Sequence, residues 1–139
     1  MILEEDTVSK TYSVVIEIDP VPKARARITA NGRYTPKSTV AFENTVAWRF
    51  VERCGKPRLK GPVSITVDFH LRSTQPEQAG RLHTGLPHAT RPDGDNLFKA
   101  VADSLRAIAW IDDSQIADLT VRKFWSTRGK IDITISEIE

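Results

Sequence analysis

The sequence has very little cysteine and no long apolar run. Cys54 is the only cysteine among 139 residues, so no disulfide can form within the chain, which is typical of a reducing compartment. No stretch approaches the roughly 18 to 20 apolar residues that a membrane-spanning helix needs. The acidic stretch of residues 1–10 lacks the apolar centre of a secretory signal, and we expect it to be a flexible tail. These absences predict a cytoplasmic protein, and the length predicts a single domain over residues 1–139.

Acidic residues are also absent between Pro20 and Phe42, although the net charge of the whole chain is only +2. The same segment is rich in cations, and such an asymmetry favours a face that binds a polyanion such as DNA. The alternative is a solvated loop with scattered charge, and the sequence does not decide between the two. The candidate phosphate contacts are Lys23, Arg25, Arg27, Arg33 and Lys37, with Arg91 further along the chain.

Alternation of apolar and polar residues predicts the strands. The ranges predicted in this way are 12–18, 63–71 and 131–135, and the mixed pattern of residues 116–125 is predicted as a further strand. Asn31-Gly32 favours a tight hairpin turn because both residue types tolerate a positive φ angle. Arg128-Gly129 is predicted to close a hairpin between the last two strands.

Apolar residues that recur every three or four positions predict two helices. Phe42, Val46 and Phe50 form one buried stripe, and that helix is expected to end near Gly55. A second helix is predicted over residues 95–109. The element order β-α-β-α-β-β therefore predicts an α+β fold, with two main helices packed on a mixed or antiparallel sheet.

Acidic residues gather in two short segments that flank the second predicted helix. Asp93 and Asp95 come at its start, and Asp112 and Asp113 follow its end. At about 100° per residue, Lys99 lies one turn after Asp95 on the same face. A helix of about 15 residues spans roughly 22 Å, so Asp113 can join Asp93 only if the chain returns across the sheet or if a second subunit supplies it. The sequence leaves both routes open.

These residue types suit metal-assisted hydrolysis of a phosphodiester. Mg²⁺ takes oxygen ligands, and converging carboxylates repel one another unless a cation neutralises them. A bound metal acidifies water, and a nearby lysine can stabilise developing charge on the phosphate. Taken singly, each feature has a simpler explanation. Asp95 can cap a helix, the pair Asp112 and Asp113 can form a turn, and Lys99 can be a solvated partner of Asp95 or Asp103.

Taken together, the order and spacing of these residues resemble the RusA family of Holliday-junction resolvases. The Asp-x-Asp-Asn-Leu-x-Lys run of residues 93–99 is followed by Asp103 and by the Asp-Asp-x-Gln turn of residues 112–115. Residues 22–27 and 34–37 are similar to the bacterial and phage-derived branch of that family. The resemblance covers most of the chain after the first ten residues.

The resemblance implies a homodimeric endonuclease of bacterial or phage origin that binds four-way DNA junctions and makes paired symmetric cuts with Mg²⁺ or Mn²⁺. The residues implied for metal binding are Asp93, Asp95 and Asp113, and Lys99 joins them in the implied catalytic set. Asp112 is a weaker candidate. Gly94 is a departure, because many members carry a larger apolar residue there, and we expect it to loosen the ligand loop slightly.

Other functions remain compatible with the same residues. The first is a nuclease of the same chemistry that prefers flaps or other branched DNA. The second is a non-catalytic protein that binds junctions, and the third is a protein–protein interaction module. Cleavage assays on a panel of branched substrates, together with DNA binding at low salt, separate these alternatives.

Overall fold

A computed structural model describes residues 10–24, 27–29, 32–34, 36–72 and 84–139 of the chain. These ranges contain six strands: β1 (Thr11–Ile16), β2 (Arg27–Thr29), β3 (Gly32–Tyr34), β4 (Val63–Arg72), β5 (Ile116–Ser126) and β6 (Lys130–Glu137). The helices are α1 (Lys37–Cys54) and α2 (Gly94–Leu105), and a short 3-10 turn covers Asp113–Gln115. The predicted α+β class is confirmed.

The main sheet is mixed, with strand order β1-β6-β4-β5. β4 and β5 run parallel, whereas β6 is antiparallel to both β4 and β1. The predicted hairpin at Arg128-Gly129 is therefore wrong in one respect, because β5 and β6 follow each other in the chain but are not neighbours. β4 lies between them, since its alternating buried side chains fit a central position; Val67 of β4 is opposite Val121 on one side and Ile133 on the other.

Both helices pack on the sheet around one hydrophobic core. α1 buries Phe42, Val46 and Phe50, which are the residues of the predicted stripe. Its predicted end is confirmed, because Gly55 takes a φ angle of 74° and donates its N–H to the Val51 carbonyl at 2.8 Å. Neither helix is long and apolar enough to cross a membrane, and the same holds for every helix in the described ranges.

α2 is four residues shorter at its end than the sequence predicted. Ile108 continues the apolar spacing, but Arg106 is already extended and Ala107 takes a φ angle of 71°. The Ala107 N–H donates to the Trp110 carbonyl at 2.6 Å, so the chain turns at this point and buries the indole ring of Trp110 completely. Burial of a large aromatic side chain outweighs continuation of the helix.

The small second sheet pairs β2 with β3. Thr29 lies opposite Gly32, which confirms the hairpin predicted from Asn31-Gly32, and Gly32 has a φ angle of 110°. This hairpin adds two short strands to the predicted element order. The side chains of Arg27 and Arg33 on these strands, and the whole of Arg25 and of residues 1–9, lie outside the described residues.

Candidate active site

Asp93 and Asp95 are exposed at the N-terminal end of α2. Asp93 occupies the N-cap position with an extended backbone, but its side chain makes no capping hydrogen bond. Asp95 lies in the first turn, where its Oδ1 accepts the N–H of Asn96 at 2.9 Å. Helix capping therefore accounts for neither carboxylate, and both are available to a ligand.

The segment that leads into Asp93 runs along the edge of β5. His88 donates its N–H to the Lys123 carbonyl at 3.0 Å, and its buried ring packs on Trp125 with the centroids 4.2 Å apart. Burial, followed by the nearby charge of Lys123, lowers the pKa of His88. The Lys123 ammonium donates to the carbonyls of Thr90 and Pro92 at 2.8 and 2.7 Å. No sequence pattern marks Lys123, because β5 lacks clear alternation.

The predicted charged face of α2 is confirmed. The Nζ of Lys99 lies 3.7 Å from Asp103, one turn along the helix, and 61% of the Lys99 side chain remains exposed. Arg106 lies one turn further, with its Nη1 at 3.6 Å from Asp103. Asp103 is thus shared by Lys99 of its own helix and by Arg106, the first residue after that helix, and Lys99 presents its ammonium group to solvent on the side of α2 that carries Asp95.

Asp113 is fixed beyond the opposite end of α2. Its Oδ1 accepts the indole N–H of Trp110 at 2.9 Å, and its Oδ2 accepts Nη1 of Arg106 at 3.2 Å. Because α2 has 12 residues, its axis is about 18 Å long and separates this end from Asp93 and Asp95. A return of the chain across the sheet does not bring the three aspartates together.

The donors fit a hard divalent ion, because Mg²⁺ often binds a protein through only one or two carboxylates and keeps several waters. Carboxylate oxygens are the ligands that Mg²⁺ and Mn²⁺ prefer, and Asp93 and Asp95 offer two such groups on one short segment. Within the parts of the chain that the structure covers, however, no three side chains of His, Cys, Asp or Glu are grouped closely enough to hold one metal ion. The remaining ligands of an ion at this pair would be water, phosphate oxygens or groups outside the described residues.

Gln115 holds the turn that carries Asp113. Its Oε1 accepts the N–H groups of Ile111 and Asp112, both at 2.8 Å. Its Nε2 donates to the carbonyls of Leu59 and Gly61 at 2.7 and 2.8 Å. The amide is therefore fully used, which gives a structural reason for a glutamine at this place in the motif.

Asp112 is committed to the same turn. Its Oδ2 accepts the Ser114 N–H at 3.0 Å and also a short hydrogen bond from the Ser114 hydroxyl. The hydrogen bond from the Ser114 side chain, followed by that from its N–H, lowers the pKa of Asp112. The simpler explanation as turn chemistry holds for Asp112, which agrees with its weaker standing as a site residue.

Lys23 points inward rather than toward a bound polyanion. Its Nζ lies 2.7 Å from Oε2 of Glu43 in α1 and 3.0 Å from Oδ2 of Asp103 in α2. The backbone N–H of Lys23 donates to the Asn96 carbonyl at 3.0 Å. Burial acts to lower the pKa of Lys23, but the hydrogen bonds to both carboxylates outweigh it and raise the pKa. The expectation of a phosphate contact at Lys23 is corrected to a link between the two helices.

The other predicted DNA contacts are exposed where the structure describes them. Lys37 is exposed at the start of α1, and Arg91 is exposed two residues before Asp93. The predicted contacts at Arg25, Arg27 and Arg33 stay predictions, because those side chains lie outside the described residues.

An apolar hollow of about 680 Å³ lies beside Asp95, between α2 and β5. Its lining includes Phe98 and Leu119, and 44% of Leu119 is exposed. Gly94 also lines it, and a Cβ atom there would meet Cγ1 of Val121 at 3.4 Å. The missing side chain of Gly94 therefore leaves this hollow more open next to the carboxylates. Whether it also loosens the ligand loop, as the sequence led us to expect, stays a prediction.

A family model and several known proteins match most of the chain. Residues 17–136 match the family model of endodeoxyribonuclease RusA. The chain is 40% identical over 130 residues to the crossover junction endodeoxyribonuclease RusA of Escherichia coli (strain K12), which covers 92% of this chain and 96% of the relative. It is also 30% identical over 130 residues to the uncharacterized protein YqaN of Bacillus subtilis (strain 168), over 86% of this chain and 92% of that protein.

Proposed function

Because the chain belongs to the RusA family of endodeoxyribonucleases, we propose that it is a cytoplasmic, metal-dependent endonuclease that resolves four-way DNA junctions by paired symmetric cuts. The relative from Escherichia coli carries the name of a crossover junction nuclease. The observation that carries the proposal is the exposed pair Asp93 and Asp95, which capping does not explain. It stands one turn from the exposed ammonium group of Lys99.

The chemistry follows from the types of side chain at the site. A divalent ion such as Mg²⁺ or Mn²⁺, when bound, lowers the pKa of water and polarises the scissile phosphate. Asp93 and Asp95 supply oxygen ligands for that ion, and Asp113 supplies a third. Lys99 holds a phosphate oxygen and stabilises the negative charge that develops as the bond to the leaving oxygen breaks.

We propose further that the chain acts as a homodimer and that Asp113 reaches the ion from the second protomer. The contacts of Asp113 with Trp110 and Arg106 support this arrangement, because they keep it at the far end of α2 from its own Asp95. A two-fold dimer then contains two complete sites, and a four-way junction has the matching approximate two-fold symmetry. The apolar hollow beside Asp95 is the surface that the second protomer covers.

DNA affinity in this proposal comes from cations that meet the phosphate backbone. The proposed contacts are Arg25, Arg27, Arg33, Lys37 and Arg91. Affinity should therefore fall steeply as salt concentration rises, because each neutralised phosphate releases counterions. The charge of Lys23 is already paired with the carboxylates of Glu43 and Asp103. In this proposal Lys23 therefore holds in place the segment that leads to Arg25.

The direct test is cleavage of a synthetic four-way junction with Mg²⁺, with Asp95→Asn as the comparison. The wild-type protein should cut two strands symmetrically. The variant should lose at least about 100-fold in rate but still bind the junction in EDTA, because only a metal ligand has changed. Equal cutting by both proteins would refute the assignment.

A flap substrate in the same assay separates the leading proposal from a nuclease of broader structure selectivity. Faster cutting of the flap than of the junction would favour the broader enzyme. Tight junction binding without incision, under either Mg²⁺ or Mn²⁺, would instead favour the non-catalytic binding protein.

A further inference from the structure

A lysine that belongs to no motif holds the loop immediately before Asp93. The ammonium group of Lys123, on β5, donates to the carbonyl oxygens of Thr90 and Pro92 at 2.8 and 2.7 Å. Pro92 directly precedes Asp93 in the chain. One anchored carbonyl is therefore a single residue away from a proposed metal ligand.

The backbone of β5 binds the earlier part of the same segment. The N–H of Gly85 donates to the Trp125 carbonyl at 2.8 Å, and the N–H of Trp125 donates to the Leu86 carbonyl at 2.9 Å. His88 continues this pairing with the Lys123 carbonyl at 3.0 Å. Backbone pairing with β5 stops at His88 among the hydrogen bonds of the described chain, so the Lys123 side chain extends the attachment to residues 90–92.

The two bonds are strong ones for a loop. A hydrogen bond from a charged ammonium group is roughly twice as strong as one between neutral groups, and an ammonium group can donate three. Lys123 is half-buried, so competition from water is reduced. Two carbonyls separated by one residue and held by the same nitrogen atom leave the loop little freedom to rotate.

We propose that Lys123 is a positioning residue of this nuclease, which fixes the Thr90–Pro92 loop and thereby orients Asp93 toward the divalent ion. The inference rests on the proposed function, because it takes Asp93 as a ligand. It extends that function by assigning a role to a residue outside the family motifs. Partners that orient metal ligands typically change metal affinity or activity by about 10- to 100-fold when they are removed.

The test compares Lys123→Met with Lys123→Arg in the full-length protein. The methionine variant keeps the length of the side chain but removes the donors, whereas arginine keeps the charge and several N–H groups. Calorimetric titration with Mn²⁺ in the absence of DNA gives the metal affinity directly. Steady-state cleavage gives kcat and KM, and binding of the junction in EDTA gives the DNA affinity.

We expect Lys123→Met to weaken Mn²⁺ binding by about 10- to 100-fold and to lower kcat, with DNA affinity in EDTA unchanged within about twofold. Lys123→Arg should recover most of the metal affinity. Hydrogen exchange of the amides in residues 89–91 should accelerate in the methionine variant. Lys130→Met is the matched control, because Lys130 lies on β6 of the same sheet and has no ion pair in the described part of the chain.

Wild-type Mn²⁺ affinity in Lys123→Met would overturn the inference, and so would a fall in thermal stability with metal affinity unchanged. Should Lys123→Met not fold, Lys123→Leu removes the same donors with a shorter apolar side chain, and wild-type Mn²⁺ affinity in that variant would overturn the inference equally. Failure of the proposed function gives a different pattern: the wild-type protein would not cut junctions, and Asp95→Asn would bind Mn²⁺ as well as the wild type does.

Discussion

Nη1 of Arg106 lies 3.2 Å from Oδ2 of Asp113, so one of the three aspartates proposed for metal binding is already paired with a cation. A positive charge this close opposes the binding of a second cation. We expect Arg106→Gln to lower the half-saturating Mg²⁺ concentration for cleavage by about two- to fivefold, because solvent screens these partly exposed groups. The cost in stability should stay below about 1 kcal/mol. Arg106→Lys should behave like the wild type, and a higher Mg²⁺ requirement in Arg106→Gln would show that Arg106 mainly orients Asp113.

Gln115→Leu tests the scaffold of the turn that carries Asp113. The substitution removes four hydrogen bonds and leaves the Leu59 and Gly61 carbonyls without this donor. At about 0.5 to 1.5 kcal/mol for each bond, we expect a loss of about 2 to 6 kcal/mol in the free energy of unfolding. Urea denaturation measures it. A loss below about 1 kcal/mol would contradict the role assigned to this amide.

Asp112→Asn tests the pH dependence of the same turn. The hydrogen bonds from Ser114 lower the pKa of Asp112 in the folded state below its ordinary value of 3.8. The ionised carboxylate therefore stabilises the folded state above about pH 4, and this contribution is lost as the pH falls through the lowered pKa. The variant should melt at a lower temperature than the wild type at pH 6, and the gap should narrow toward pH 3. Asp118→Asn, at an exposed position of β5, is the control. A gap that does not change with pH would contradict the prediction.

Leu119→Glu tests whether the hollow beside Asp95 is covered by a second protomer. Leu119 is 44% exposed there, and burial of a glutamate in an apolar interface is unfavourable. Sedimentation should show a shift from dimer to monomer, and junction cleavage should fall with it. Val15→Glu is the control, because Val15 is 58% exposed on β1 at the opposite edge of the sheet. A Leu119→Glu protein that remains dimeric would place the interface elsewhere.

Local patterns were enough to predict the elements of the core. The alternation in β4 and the stripe of Phe42, Val46 and Phe50 in α1 depend on burial of one face, which the sequence records directly. The end of α2 was not predictable in this way, because Ile108 continues the helical spacing. What ends the helix is the burial of Trp110, a tertiary effect that periodicity does not contain.

The motif residues of the site could likewise be identified from the sequence, but the residues that hold the motif segments in place could not. Lys123 and Thr90 are 33 positions apart, and Gln115 and Leu59 are 56 apart. Such contacts depend on which distant segments become neighbours in the fold, and alternation alone does not specify that. The prediction of a phosphate contact at Lys23 failed for the same reason, because its two carboxylate partners come from different helices.

Mixing two inactive variants gives the most direct test of a site assembled from two protomers. In a dimer of one Asp95→Asn chain and one Asp113→Asn chain, one site would contain both substitutions and the other would contain neither. We predict that each variant alone fails to cut a four-way junction, whereas a refolded mixture cuts one strand of the junction with Mg²⁺. A mixture as inactive as its components would contradict the shared site, because a site built within one chain leaves a substitution in each half of the dimer.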